Sequence, residues 1–137
     1  MKSNHDELKI RSALFWFAAV IPLAIIGIGI NFILNPVGAS TGFGIPMHDP
    51  GSFPFMWIKG IRDIFSGLVV LAFLLPGNRK ASALLFSIAT LIPIADGFVI
   101  ITRQGFAPPL MIHWGTAAYM AVVSYFLFRQ NKVGDAA

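Results

Sequence analysis

The sequence predicts an all-α fold: a four-helix transmembrane bundle, residues 1–137 as one integral membrane domain, with both termini in the cytoplasm. Three observations predict it. Of 137 residues, 56% are hydrophobic and 12% are charged, where a soluble domain carries about 25% charged residues. The apolar residues gather in four stretches, at about residues 12–34, 53–75, 81–102 and 109–128. Each has roughly the 20 residues needed to cross a ~30 Å hydrocarbon core at 1.5 Å per residue. Finally, Lys2, Lys9, Arg11, Arg79, Lys80, Arg129 and Lys132 all flank the ends of those stretches. The N-terminal segment, the 76–80 turn and the C-terminal segment hold these seven, residues 35–52 hold no Lys or Arg, and the 103–108 turn holds one. The positive-inside rule then places both termini in the cytoplasm, which is the parity four spans require. A plasma or inner membrane fits this composition.

Helix 1 follows a polar lead-in over residues 1–11. Its apolar run of about 23 residues exceeds the 7–15 of a signal-peptide core, so it reads as a retained span. It holds Pro22 and the run Gly27-Ile28-Gly29, small residues that permit a bend or close helix approach. The first outer connection, "NPVGASTGFGIPMHDPGSFP", has four prolines and four glycines. It is expected to lack regular secondary structure. Its Phe43, Ile45, Met47 and Phe53 are apolar and can pack back over the mouth of the bundle. Helix 2 contains "FMWIKGIRDIFSGLVV" and stops at Pro76-Gly77-Asn78. Helix 3 carries Pro93 three residues before Asp96, and a proline in a membrane helix frees a carbonyl and kinks the axis. Helix 4 starts at Pro108-Pro109, a helix-start signal.

The polar residues of the spans share one level. Lys59 lies about six residues, ~9 Å, inside the outer end of helix 2, with Arg62 and Asp63 one turn deeper. Asp96 lies about as far inside the outer end of helix 3, His113 about 6 Å inside that of helix 4, and Asn31 near that of helix 1. An ionised group at the bilayer centre costs about 2.5–3.5 kcal/mol on insertion scales, so these groups should face inward and pair. Lys59 and Asp63 stand i,i+4 on one helix face. Asp96 is the expected partner of Arg62, and Asp49 that of Arg103. Such a network can serve only to fix helix packing. Six charges with His48 and His113 nevertheless exceed what holding four helices together requires, and intramembrane ionisable residues are functional candidates.

Several classes are disfavoured. The chain has no cysteine, which removes disulfides, thiol catalysis and cysteine-ligated metals. A pI near 9.9 could suggest nucleic acid, but the basic residues sit at helix ends and form no stripe with aromatics. His48, Asp49, Asp96 and His113 lack HxxxH or HExxH spacing, so no metal and no cofactor is expected. No GxGxxG run is present. Trp16, Trp57, Trp114 and Tyr125 lie towards span ends, as an aromatic belt would.

The succession "KGIRDIFSGL", "GNRKASALL", "IPIADGFVI" and "HWGTAAY" resembles small four-helix membrane proteins of domain-of-unknown-function family four-two-six-seven, in the neighbourhood of DoxX-like membrane proteins. The resemblance spans about residues 57–119. It implies a four-helix bundle with Lys59, Arg62, Asp63, Asp96 and His113 as its marked positions, and implies no activity.

Three functional readings follow from the residues. The first is a site for a small amphipathic ligand in the outer half of the bundle. Lys59 and Arg62 would hold an anionic or carbonyl group, Asn31, Arg103, His48 and Asp49 would be further ligand-binding residues, and Asp63, Asp96 and His113 would be the acid/base groups of any reaction. The second is proton-coupled transport by a homo-oligomer through Asp96 and His113. The third is an accessory subunit that docks a membrane partner through Gly27, Gly29 and Gly67. Membrane lipid surrounds the chain in all three.

Overall fold

The structure, a computed structural model, describes residues 8–129, and the regular structure among them is helical. The basic residues Lys2 and Lys132 lie outside the described residues. Helix α1 spans Ala13–Leu34, α2 Pro36–Phe43, α3 Phe53–Leu74, α4 Arg79–Ala89, α5 Leu91–Gln104 and α6 Pro108–Arg129, with a 3-10 turn at Pro50–Ser52. Three helical stretches are long and apolar enough to cross a membrane: α1, α4 with α5, and α6. Helix α3 has the same 22 residues as α1. It falls outside that set because every 18-residue window in it contains Lys59, Arg62 and Asp63.

Two expectations need correction. Residues 35–52 are not free of regular structure. Asn35 caps α2, its side chain accepting a hydrogen bond from the Gly38 N–H at 3.1 Å, and Pro36 takes the first helical position. Gly44 ends the helix with φ 99°, the left-handed conformation that glycine tolerates. These are ordinary start and stop signals placed only eight residues apart, so the Pro/Gly content that suggested a loop is what frames a short helix. The buried Ser40 hydroxyl then accepts from the Met47 N–H at 3.1 Å, which folds the following segment back. The third apolar stretch, in turn, is two helices that meet at Thr90. Proline at 93 cannot donate to the Ala89 carbonyl, and the Thr90 hydroxyl bonds back to the Phe86 carbonyl at 2.7 Å, so the break falls one turn before the proline.

Helix α1 packs along α3, and α6 packs against both α4 and α5. The α1–α3 contact is made by backbone. A Cβ on Gly29 would lie 2.5 Å from the Gly60 carbonyl oxygen, and a Cβ on Gly60 2.6 Å from that of Gly29. A Cβ on Gly67 would lie 2.7 Å from the Pro22 carbonyl oxygen. Gly29 and Gly67 are thus consumed inside the chain rather than left for a partner, whereas Gly27 faces open space. Trp114 departs from the expected belt as well. It is half-buried against α5, in the slot left by the missing Cβ of Gly97, while Trp16 and Trp57 are exposed.

The main core fills one end of the molecule, with Phe15, Leu74, Phe86, Val123 and Leu127 among its buried members. The basic segments converge at that end. The Leu8 N–H donates to the Gly77 carbonyl at 3.1 Å, and Gly77 (φ 74°) passes so close to Leu8 that a side chain there would collide with its backbone. Arg79, 4% exposed, donates through Nη2 to the Phe126 carbonyl at 3.3 Å. This places a cation on the last turn of α6, where the helix dipole favours positive charge. A smaller apolar cluster of Phe32, Ala39 and Met56, joined by Phe43, closes the opposite end.

Valine at Gly60 is expected to destabilise the protein by about 1–3 kcal/mol through overpacking. Valine at Gly27, with open space, should be near neutral. Unfolding of both variants in mild detergent, followed by circular dichroism against denaturant, checks the contrast.

Candidate functional site

Between the α1–α3 pair and the α4–α5–α6 unit lies a cavity of ≈ 200 Å³. Most of its wall is aliphatic. Its charged groups come from three helices: Lys59 and Asp63 from α3, Asp96 from α5 and His113 from α6, with Phe43 of α2 beside them. Phe86 and Met120, both members of the main core, also line it.

Helical geometry selects which charges enter. Lys59, Asp63, Ser66 and Val70 all line the cavity, and at about 100° per residue they fall within roughly 60° of one another. Arg62 sits about 60° from Lys59 on the side away from Asp63, and it is exposed. The expected Arg62–Asp96 pair is therefore not formed, because the helix turns Arg62 past the cavity rim. The expected Arg103–Asp49 pair is not formed either: both side chains are exposed, and the Asp49 carbonyl instead accepts from the Ser52 N–H and hydroxyl in the 3-10 turn. Asn31 and His48 are exposed too. Of the nine residues singled out in the sequence, the fold brings together Lys59, Asp63, Asp96 and His113, and leaves Asn31, His48, Asp49, Arg62 and Arg103 at the surface.

Among the described residues one lysine–carboxylate ion pair and one close histidine–carboxylate contact form, and both line this cavity. Lys59 Nζ donates to Asp63 Oδ2 at 2.6 Å. The same ammonium stands 4.7 Å from the ring centres of both Phe32 and Phe43. Each such cation–π contact contributes about 0.5–2 kcal/mol, more when water is excluded. His113 lies across the cavity, its Nδ1 3.8 Å from Asp96 Oδ2. That is too long for a hydrogen bond. Its Nε2 is 3.2 Å from the Phe43 carbonyl, and its ring meets the Phe43 ring edge-on with centres 4.6 Å apart. A carbonyl only accepts, so Nε2 carries a proton in this contact and Nδ1 faces the Asp96 carboxylate.

Phe32 and Phe43 escaped the sequence reading as site residues. Phe32 reads as an ordinary apolar residue and Phe43 as one of several that pack over the bundle mouth, and their partner Lys59 lies 27 and 16 positions further along the chain. What signal there was lies in the capping pattern of α2, which fixes where Phe43 ends up.

The family model for a domain of unknown function, DUF4267, matches residues 22–127. The match takes in all four charged residues of the cavity and both rings of the lysine cage, and the chain belongs to that family. No curated protein and no solved structure gives a match to this chain.

Removing either partner of the Lys59–Asp63 pair strands the other. The losses of stability in Lys59→Ala and Asp63→Ala are expected to sum to more than the loss in the double variant, with a coupling of about 0.5–3 kcal/mol. A double-mutant cycle on unfolding free energy in detergent measures it.

Proposed function

We propose that this chain is a four-span membrane protein, α3 included, whose outward half holds a binding site for a small amphipathic molecule. The observation that carries the reading is the cavity itself, in which an aliphatic chamber has its charged groups gathered in one cluster. A molecule with a polar head and an apolar body matches that division. The family match gives membership of a domain family of unknown function and assigns no activity, so the cavity bears the argument.

The topology rests on two supports. The basic residues Lys9, Arg11, Arg79, Lys80 and Arg129 belong to segments that meet at one end, through the Leu8–Gly77 and Arg79–Phe126 contacts. By the positive-inside rule that end is cytoplasmic, and the Lys59–Asp96–His113 cluster belongs to the opposite half. Helix α3 enters the bilayer as the fourth span because two of its three charges are paired inside the bundle and Arg62 is long enough to reach towards the interface. Binding is favoured over transport because Phe86 and Met120 line the cavity and belong to the packed core that fills the cytoplasmic end.

The native chain has no cysteine, so single cysteines report topology without background. A cysteine at Asp49 is expected to react with a membrane-impermeant maleimide in intact cells, and one at Lys80 only after permeabilisation. The reverse pattern would overturn the orientation.

The site itself is tested by native mass spectrometry of the protein extracted from its own membrane in mild detergent. A small molecule bound to the wild type and lost from a folded Lys59→Ala, Asp63→Ala double variant is the expected result. Apo protein in both, recovered from several hosts and detergents, would remove the reading.

A further inference from the structure

We propose that the cavity selects an uncharged, hydroxyl-bearing apolar molecule, held through Asp96, and that it does not select an anion. This rests on the amphiphile-binding reading and specifies its head group.

The presence of Lys59 makes an anionic ligand the obvious choice. The geometry argues otherwise. The Lys59 ammonium already has a carboxylate at 2.6 Å and two aromatic faces at 4.7 Å. An incoming anion would compete with Asp63 for the ammonium, and would join two carboxylates already lining the space. Arg62, the other cation nearby in sequence, faces outward.

Asp96 is the group left open. Among the described residues its carboxylate makes no hydrogen bond, and its nearest ionisable partner, His113 Nδ1, stands at 3.8 Å. Asp96, its side chain 32% exposed where it lines this largely aliphatic chamber, keeps acceptor oxygens open to a donor that enters. The hydroxyls of the chamber do not serve it. Ser66 donates to the Arg62 carbonyl at 2.8 Å, and Thr116 donates to the Ile112 carbonyl at 2.8 Å.

A hydroxyl completes this arrangement. The 3.8 Å gap is the base of a triangle whose two other sides can be ordinary hydrogen bonds of about 2.8 Å. An oxygen at the apex donates to Asp96 and, where the imidazole carries both protons, accepts from His113. A protonated amine would also donate, but it would bring a second cation into the chamber beside Lys59 and lose its hydration there. A neutral hydroxyl avoids both.

The apolar body has a route as well. Of the residues that line the cavity, Ile28, Ile92 and Ile112 are also half or more exposed or close to it, at 48%, 52% and 64%. The opening is therefore framed by aliphatic side chains on the flank of the helices, the part of the surface that meets hydrocarbon in a membrane.

The test uses three probes of matched shape: cyclododecanol, its methyl ether and cyclododecanecarboxylate. Binding to the full chain in lipid nanodiscs is measured by calorimetric titration and corrected with empty nanodiscs. The alcohol is expected to bind about tenfold or more tightly than either analogue, the scale of a hydrogen bond to a charged acceptor. In Asp96→Ala its advantage over the ether should vanish, and in Asp96→Asn, which keeps an acceptor oxygen, part of it should remain. The wild-type ranking decides the matter even if a variant does not fold. Equal binding of alcohol and ether, or tightest binding of the carboxylate, overturns this inference and leaves the amphiphile site standing. Binding of none of the three overturns both.

Discussion

A partly buried ammonium group on α3 is the constraint on which the rest of this structure depends. Lys59 needs a carboxylate and a sheltered place among the helices. The carboxylate is local, one turn along α3 at Asp63. The shelter comes from elsewhere in the chain. Phe32 can reach the ammonium because α1 and α3 touch backbone to backbone at Gly29 and Gly60. Gly60 immediately follows Lys59, and a Cβ there would come within 3.3 Å of the Phe32 Cβ. The second ring, Phe43, is delivered by α2, whose length is set by the Asn35 cap and the left-handed Gly44. The carbonyl of Phe43 then accepts from His113, and His113 faces Asp96. A line of contacts thus runs from a pair of glycines, through one lysine, to the groups on the far wall of the cavity.

The two ends of the molecule solve different problems. At the basic end the helices close on one another with buried aliphatic and aromatic residues, and Arg79 caps the last turn of α6 through a backbone carbonyl. Serines there are satisfied in pairs and by backbone: Ser87 and Ser124 share a 2.6 Å hydrogen bond, and Ser124 donates to the Ala83 carbonyl. At the other end the closure is thinner, made of a short helix and three buried apolar residues. Thr90 and Pro93 divide α4 from α5 between these regions, and Pro93 itself lines the cavity. The break in that helix and the space beside it occupy the same level of the fold.

Much of this was legible in the sequence, and the residues show why the remainder was not. The long helices follow from apolar runs of membrane length, and the Lys59–Asp63 pair follows from i,i+4 spacing, since both depend on local periodicity alone. Asp96 and His113 share a depth in the sequence, but depth alone pairs Asp96 with Arg62 and does not show that it faces the histidine. Arg62 was misplaced because depth was considered without rotation: about 60° of helical twist separates a cavity wall from its rim. Phe32 and Phe43 could not be recognised, since nothing local distinguishes a ring that shields a cation from a ring that fills a core. Arg79 read as one more flanking basic residue, and its burial depends on where α6 ends. Helix α2 is the instructive miss. Its start and stop signals are written plainly in Asn35-Pro36 and Gly44, and they were hidden only by the proline and glycine content of the residues around them.

The two carboxylates of the cavity are not equivalent, and the difference follows from their positions on the helices. Asp63 shares a helix with its cation, so its charge is neutralised within one element and is carried wherever α3 goes. Asp96 faces a histidine on a different helix across 3.8 Å, and that distance is set by how α5 and α6 pack, with Trp114 seated over Gly97 one residue beyond Asp96. The first pair is a fixed feature of α3. The second is an adjustable gap between two helices, bounded by a titratable ring whose other nitrogen is held by the Phe43 carbonyl. The chamber therefore holds one carboxylate bonded to a cation of its own helix and one that faces a ring on another helix without a hydrogen bond.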